Sequence, residues 1–426
     1  MVTNKAGTAP PEGNWWKELT ADRAVVFTII VGALGYFVDV FDLLLFSILR
    51  VQSLKDIGVP EDEMLDAGIL LLNVQMAGLL LGGILWGVAG DKLGRLSVLF
   101  GSILLYSVGN IANAFVETVP QYAILRFITG IGLAGELGVG VTLASELLPR
   151  KYRGLGTTFI ATIGVLGATA GAVLAAYVSW RTAYFIGGAM GLALLVLRIG
   201  VRESGMFKKM AEQGDKVKRG SILMFFKSKD LFRRYMAVLM IGAPTWATIG
   251  MFITFTPEFA KDFGMGDPLP SAANAVLYSY IGLAVGDCLS GVMSQMLQSR
   301  RKSIAISLCM LIVFTLVFAF VKTDSNTVYY LFCGLLGLGA GYWAMFVQVG
   351  AEQFGTNIRA TAATTVPNMV RGLAIPITLG FRAFIPSLGV TGAGLAVMGI
   401  VMTLAFIGLW LAKETFHDDL DYVEAH

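Results

Sequence analysis

Runs of about 20 apolar residues recur along the whole sequence, and no other feature limits the possible folds as strongly. Each run matches the roughly 30 Å hydrocarbon core of a bilayer. Backbone amides in lipid must be satisfied internally, so such runs form helices unless they alternate as barrel strands do, and these runs do not alternate. We predict an all-α membrane protein with twelve transmembrane helices at about 24–49, 67–90, 97–116, 121–145, 155–178, 181–200, 235–256, 272–298, 303–321, 327–350, 361–385 and 390–412.

The composition supports this fold and argues against several kinds of functional site. The chain is 56% hydrophobic and 14% charged, whereas a soluble protein carries about 25% charged residues. Its three cysteines, Cys288, Cys309 and Cys333, lie inside apolar runs without metal-ligand spacing. Both histidines, His417 and His426, lie in the C-terminal tail. We therefore expect no metal site, no cofactor and no histidine proton relay.

The distribution of positive charge predicts the topology. Residues 202–234 form one long polar segment rich in Lys and Arg, so we predict a six-helix bundle over 1–201, a cytoplasmic linker over 202–234 and a second six-helix bundle with an acidic tail over 235–426. With the N-terminus placed in the cytoplasm, the cytoplasmic segments hold 23 Lys and Arg and the opposite side holds five. The positive-inside rule then puts both termini in the cytoplasm. The polar stretch up to Thr20 lacks the apolar core of a signal peptide, so we expect the first span to be retained.

The two halves repeat each other at the cytoplasmic ends of their helices. The fourth span ends in Glu146-Leu-Leu-Pro-Arg-Lys-Tyr-Arg153, and the tenth ends in Glu352-Gln-Phe-Gly-Thr-Asn-Ile-Arg359. Both read as Glu, six residues, Arg. Two pseudo-symmetric bundles of this kind, with a solute site between them, are a known transporter architecture.

Two further motifs give the sequence a family resemblance. Gly87-Val-Ala-Gly-Asp91-Lys-Leu-Gly94-Arg95 follows the second span, and Arg126-Phe-Ile-Thr-Gly-Ile-Gly-Leu-Ala-Gly-Glu136 lies in the fourth. Here the chain resembles the major facilitator superfamily, in the branch of sugar porters, organic-ion transporters and metabolite–proton symporters. The resemblance implies transport by alternating access, with a cytoplasmic gate at Asp91, Arg95, Glu146, Arg153, Glu352 and Arg359. In the second half Gln295 replaces the expected Asp, so we expect an asymmetric gate.

Ionisable groups inside spans are the main candidates for function, because they cost several kcal/mol unless paired or hydrated. They are Asp39, Asp42, Arg126, Glu136, Asp287 and Arg371. Arg198 and Arg382 lie nearer span ends, and we expect both to extend to the interface. Asp39 has the alternative of lining a water-filled cavity without a specific role. For Asp287, contact with the solute and a structural polar contact both stay open.

We predict that Asp42 and Arg126 form a proton-coupling pair. The segment Gly35-Tyr-Phe-Val-Asp39-Val-Phe-Asp42 resembles the first span of proton-coupled sugar porters, in which an aspartate at this position pairs with an arginine matching Arg126. Helical rise puts both residues about 9–12 Å below the outer surface. An unpaired carboxylate in a low-dielectric cavity holds a proton more readily than a paired one. Asp39 and Glu136 are the next candidates.

Arg371 is the main candidate for contact with the solute. It lies about 18 Å into the bilayer, near the midplane, and its guanidinium stays charged. It needs a carboxylate partner, supplied either by the protein, from Asp39, Glu136 or Asp287, or by an anionic solute. Other polar and aromatic side chains at mid-span are expected to line the cavity: Tyr36, Gln75, Trp246, Tyr280, Trp343, Gln348 and Asn368.

These observations predict a secondary transporter of the bacterial inner membrane. We expect proton-coupled symport of a small polar metabolite, an organic anion, by a monomer that binds no nucleic acid. The alternative is a uniporter or exporter of a sugar or other small metabolite. An enzyme is disfavoured because no Gly-x-Ser-x-Gly motif or carboxylate–histidine set is present. An ATP-driven pump is disfavoured because no phosphate-binding loop is present.

Overall fold

The protein is all-α, and the predicted twelve-span architecture is confirmed. The computed structural model describes residues 23–93, 95–147, 153–199, 224–321 and 323–416, and no strand occurs among them. Spans 1 to 6 are the helices Arg23–Asp56, Met64–Leu93, Arg95–Asn113, Val119–Leu147, Arg153–Leu174 and Trp180–Arg198. Spans 7 to 10 are built from Lys229–Ala247 with Thr248–Ile253, then Ala272–Leu297, Arg300–Phe320, and Asn326–Ala340 with Trp343–Glu352. Spans 11 and 12 together are built from Thr356–Gly372 and Ala374–Leu411. Two short helices, Met224–Lys227 and Thr256–Asp262, flank span 7.

Eight of the described segments are long and apolar enough to cross a membrane. One of them, Thr365–Leu411, covers parts of two spans, because the helix is interrupted at Gly389. Gly389 has φ +70°, which a residue with a side chain rarely adopts. Residues 374–388 complete span 11, and residues 390–411 form span 12. Ser97–Asn113 and Ile163–Leu174 are shorter apolar segments.

The C-terminal half contains two other breaks in helical geometry. Span 7 passes into a π-helical turn at Thr248–Ile253, just after Pro244, whose ring prevents a regular backbone hydrogen bond. Span 10 stops at Ala340 and starts again at Trp343. Interrupted helices inside a membrane free backbone groups for polar contacts, provided they are buried in protein or line a cavity.

Glycines allow the same pair of helices to approach closely in each half. A Cβ at Gly78 would lie 2.2 Å from the carbonyl oxygen of Phe127, so spans 2 and 4 touch backbone to backbone. In the second half, a Cβ at Gly282 would lie 2.0 Å from the carbonyl oxygen of Gly334, joining spans 8 and 10. Small residues at helix interfaces allow this close packing in membranes.

The two halves meet along spans 2 and 11 and along spans 5 and 8. Asn368 Nδ2 of span 11 donates to the carbonyl of Ala134 in span 4 at 3.0 Å, beside Gly83 of span 2. Span 7 begins at Lys229 rather than at residue 235, so the helix includes the end of the predicted linker. Residues 200–223 lie outside the described part of the chain, and the division into domains at 202–234 stays a prediction.

Candidate functional site

A buried ion pair joins the two halves of the protein. Arg371 Nη2, in span 11, donates to Asp39 Oδ2, in span 1, at 3.3 Å. Arg371 is 2% exposed and Asp39 is fully buried. Removing one partner of such a pair leaves an uncompensated buried charge, at a cost of about 3–5 kcal/mol. Of the two partners that the sequence left open for Arg371, the protein's own carboxylate is present in this conformation.

The pair leaves much of the arginine's hydrogen-bonding capacity unused. Arg371 Nε and Nη1 and Asp39 Oδ1 are buried without a hydrogen-bond partner. A guanidinium carries five N–H donors in a planar fork. The Nε–H and Nη1–H groups of Arg371 are therefore free to donate charge-assisted hydrogen bonds to a further acceptor.

Aromatic side chains from both halves surround this pair. The Tyr36 hydroxyl lies beside Trp343 and within electrostatic reach of Arg371. Tyr280 likewise lies within electrostatic reach of Arg371 and Tyr36. The ring of Tyr36 fits because span 5 has a glycine opposite it, where a Cβ at Gly164 would lie 1.9 Å from Tyr36 Cδ1. The structure thus brings together four of the predicted solute-site residues.

Asp287 supports the break in span 10. Its Oδ1 accepts a hydrogen bond from the backbone N–H of Ala344 at 3.0 Å, at the start of the second half-helix, Trp343–Glu352. Gly341, in the break, lies against span 8, and a Cβ there would lie 2.5 Å from the carbonyl oxygen of Leu283. Of the two roles considered for Asp287, the structure displays the structural polar contact.

Asp42 and Arg126 lie in the same half, fully buried, but they are not ion-paired in this conformation. Both Asp42 carboxylate oxygens and Arg126 Nε and Nη2 lack a hydrogen-bond partner. Arg126 Nη1 instead donates to Tyr184 OH at 3.3 Å. Its guanidinium lies 5.5 Å from the ring centres of both Phe46 and Tyr184, and these cation–π contacts stabilise it away from Asp42.

Glu136 forms a buried ion pair with Arg198, and this pair corrects the prediction made for Arg198. Arg198 Nη1 donates to Glu136 Oε2 at 3.0 Å, and Nη2 donates to Oε1. Arg198 is 2% exposed, so the expectation that it extends to the interface was wrong. Gly35 leaves the necessary space, because a Cβ there would lie 2.3 Å from both Arg198 Nη2 and Glu136 Oε1. Arg382, by contrast, is exposed.

Ion pairs between the halves close the side opposite the Lys- and Arg-rich segment. Arg50 Nη2, at 2.6 Å from Glu258 Oε2, is fully buried and lies over the ring of Phe255. Arg382 pairs with Asp66 closer to the surface. These pairs were missed from the sequence, since each residue lies at a span end or in a short connection and was counted there only as a loop or interface charge.

The opposite side carries a second polar cluster around Glu352. Its carboxylate accepts from Arg300 at 3.5 Å, from Gln348 Nε2 at 2.7 Å and from the Thr415 hydroxyl at 2.6 Å. Gln348 therefore belongs to this face rather than to the solute site, because its amide is directed to a residue one turn along the helix. The side chains of the other predicted gate residues lie outside the described ones: Asp91, Arg95, Glu146, Arg153 and Arg359.

The C-terminal tail completes the cluster around Glu352. Glu414 accepts hydrogen bonds from the Ser299 hydroxyl and from the backbone N–H groups of Arg300 and Arg301, at the start of span 9. Burial raises the pKa of Glu414, but these hydrogen bonds outweigh it and hold the pKa below its ordinary value. The tail thus supplies a carboxylate to the connection between spans 8 and 9, just after Gln295, which stands where the family pattern has an aspartate.

The remaining predicted solute-site residues are buried, and among the hydrogen bonds of the described residues none joins them to Arg371 or Asp39. Gln75 Nε2 donates to the carbonyl of Leu43 at 3.3 Å, between spans 1 and 2. Asn368 bridges spans 11 and 4, as described above. Trp246 is 5% exposed in span 7, just before the π-helical turn.

Comparison with known proteins agrees with this architecture. The family model described as Major Facilitator Superfamily matches residues 27–379. The cis,cis-muconate transport protein of Acinetobacter baylyi is 28% identical over 86% of this chain and 89% of its own length. The sialic acid transporter NanX of Escherichia coli is 25% identical over 93% of this chain and 94% of its own length. A crystal structure of a D-xylose–proton symporter superposes with a TM-score of 0.70 at 17% identity, covering 92% of this chain and 99% of that one.

Proposed function

Because the chain belongs to the major facilitator superfamily and is a multi-pass membrane transporter of small metabolites, not an enzyme, we propose that it carries a small organic anion across the membrane together with a proton. The single observation that carries the anion assignment is the pair of unused donor nitrogens, Nε and Nη1, of the Arg371 guanidinium. Two of its nitrogens are buried without a partner, beside only one protein carboxylate oxygen. Buried N–H groups in this position favour a ligand that accepts two hydrogen bonds and brings negative charge.

The relatives support the same class of solute. The names of two relatives that match most of the chain refer to muconate and to sialic acid, and both of these solutes are carboxylic acids. A neutral sugar would leave the charge of Arg371 balanced by Asp39 alone, and it would bring no negative charge to the free N–H groups of the guanidinium. Tyr36, Tyr280 and Trp343 would form the walls of the anion site.

Proton coupling is proposed for Asp42 together with Arg126. A carboxylate buried in a span without a hydrogen-bond partner is stable as the neutral acid, and it becomes stable as the anion when an arginine approaches. Glu136 is less suited, because both of its oxygens are engaged by Arg198. Asp39 is the second candidate for proton coupling, because it is already paired with Arg371.

We place both termini in the cytoplasm, from the 23 to five distribution of Lys and Arg. On this orientation the Arg50–Glu258 and Arg382–Asp66 pairs form an outer gate, which is closed in this conformation. The cluster around Glu352, with Asp91, Arg95, Glu146, Arg153 and Arg359, would form the inner one. Closing one side at a time is what alternating access requires.

The test begins with a thermal-shift screen of organic acids, sugars and amino acids on purified protein, since a bound ligand raises apparent stability. Uptake of the stabilising solute into proteoliposomes is then measured with and without an inward proton gradient. The proposal predicts saturable uptake of a carboxylate that the gradient drives above equilibrium. A neutral solute would contradict the anion assignment, and uptake of a carboxylate that ignores the gradient would contradict proton coupling.

A further inference from the structure

Three hydroxyl groups connect Arg126 to the outer end of span 1. The hydroxyls of Tyr184 and Tyr122 are 2.6 Å apart. Tyr122 OH lies 3.4 Å from Ser53 Oγ. Ser53 Oγ lies 3.1 Å from the carbonyl oxygen of Arg50. Each of these residues is fully buried, so the chain is formed inside the N-terminal half away from water.

The direction of this chain is fixed by counting hydrogens. Each hydroxyl has one hydrogen to donate. Since the acceptor at the end is a carbonyl, Ser53 donates to Arg50, Tyr122 to Ser53, and Tyr184 to Tyr122. The oxygen of Tyr184 is then left as an acceptor, and it receives Arg126 Nη1 at 3.3 Å. Hydrogen bonds aligned in one direction polarise one another, which makes the Tyr184 oxygen a better acceptor for the cation.

The same arginine has a second possible acceptor close by. Gly187 lies one helical turn after Tyr184, and a Cβ there would lie 2.4 Å from Asp42 Oδ1. The carboxylate of Asp42 therefore lies against the face of span 6 that presents Tyr184. Both oxygens of Asp42 lack a hydrogen-bond partner, as do Arg126 Nε and Nη2.

We infer that Tyr184 is the alternative partner that holds Arg126 away from Asp42 while Asp42 carries its proton. This inference rests on the proposed role of Asp42 and names the residue that competes with it. When Asp42 is neutral, Arg126 donates to Tyr184. When Asp42 loses its proton, the carboxylate attracts Arg126 and the Tyr184 contact is given up. Tyr184 is thus a positioning residue, and Tyr122 orients its hydroxyl.

The inference predicts the direction of a pH effect. Replacing Tyr184 by Phe removes the competing acceptor and keeps the aromatic ring. The population of the Arg126–Asp42 ion pair therefore rises. A carboxylate paired with arginine binds a proton less readily. Proton-driven uptake then requires a lower external pH. The other polar or titratable groups within reach of Asp42 are unchanged: Asp39 on its own span and Tyr106 and Asn110 on span 3.

The experiment compares pH profiles of gradient-driven uptake in proteoliposomes for the wild type, Tyr184→Phe and Tyr122→Phe. We expect the midpoint of Tyr184→Phe to move to lower pH by about one unit, and that of Tyr122→Phe to move in the same direction by less. Tyr329→Phe is the matched control. Tyr329 is also fully buried, but its hydroxyl donates to the carbonyl of Thr256 in the other half.

The outcomes separate this inference from the proposed function. If wild-type uptake is independent of pH, proton coupling fails and this inference fails with it. If wild-type uptake depends on pH and Tyr184→Phe keeps the wild-type midpoint, only the role of Tyr184 is overturned. If Tyr184→Phe does not fold, Tyr122→Phe decides, because it breaks the chain without touching Arg126. A Tyr122→Phe midpoint equal to that of the wild type and of Tyr329→Phe would then overturn the inference.

Discussion

Arg371 and Asp39 lie on different halves of the protein, and their side chains meet at 3.3 Å in its buried interior. Any motion that separates spans 1 and 11 must break this contact. On the proposed function, an anion bound to the free N–H groups of Arg371 would compensate the arginine during such a motion, because it would supply the negative charge that Asp39 takes away. The pair would then link solute binding to the relative movement of the halves.

Arg371→Lys should weaken binding of the carboxylate solute. Lysine keeps the positive charge but loses the planar fork. A charge-assisted hydrogen bond is worth about 1.5–3 kcal/mol, so the dissociation constant should rise roughly 10- to 100-fold. Ligand-induced thermal shift over a concentration series measures this directly. An unchanged dissociation constant in a folded variant would return Arg371 to a purely structural role.

The outer gate should depend on the charge of Glu258. Glu258→Gln leaves Arg50 buried without its counter-charge, so the closed state is disfavoured and the outward-open population rises. The readout is a cysteine placed at Asn73, which lies two helical turns deeper than Asp66. After Cys288, Cys309 and Cys333 are replaced by Ser, labelling of this cysteine by an impermeant maleimide should be faster in the variant.

The matched control for this gate is Glu61→Gln. Glu61 pairs with Lys55 at 3.5 Å, but both residues are exposed and belong to one half. Exposed pairs contribute about 1 kcal/mol or less, so labelling should not change. Equal labelling rates in Glu258→Gln and Glu61→Gln would mean that the Arg50–Glu258 pair does not hold the outer side closed.

The position of a residue along its span could be predicted from the sequence, but its angular position around the helix could not. Helical rise predicted a mid-span position for Arg371, which is buried in the protein, and similar depths for Asp42 and Arg126. It could not predict that Arg126 turns toward Tyr184. The Arg198–Glu136 pair was missed for the same reason, since it depends on how two helices rotate toward the space left by Gly35.

The tail contact should give a pH-dependent contribution to stability. The lowered pKa of Glu414 means that the folded state favours the carboxylate. Its contribution is therefore present above the ordinary glutamate pKa of about 4.3 and is lost as the pH falls through the lower folded value. Glu414→Gln should lower the melting temperature slightly at pH 7, because a half-buried carboxylate that solvent partly screens contributes less than about 1 kcal/mol to the free energy of unfolding. A difference from wild type that grows toward pH 4 would have the wrong sign.

Close packing of spans 8 and 10 should make Gly282 intolerant of a side chain. Gly282→Ala places a Cβ 2.0 Å from the carbonyl oxygen of Gly334, and overpacking of this kind costs about 1–3 kcal/mol. Gly291→Ala, on the same helix, is the control, because a Cβ there meets nothing within 4 Å. Melting temperatures in detergent should fall for the first variant and hold or rise for the second. Equal values would show that the helices can separate without loss.

Coupling of the solute to protons through Asp42 is the central claim, and solute-induced proton uptake tests it most directly. Proteoliposomes containing a pH-sensitive dye receive the carboxylate solute outside, and internal acidification is recorded for the wild type and for Asp42→Asn. We predict that the wild type acidifies the interior when solute is added. The Asp42→Asn variant should not, while it still exchanges solute between equal concentrations on both sides. Acidification by Asp42→Asn at the wild-type rate would contradict the account.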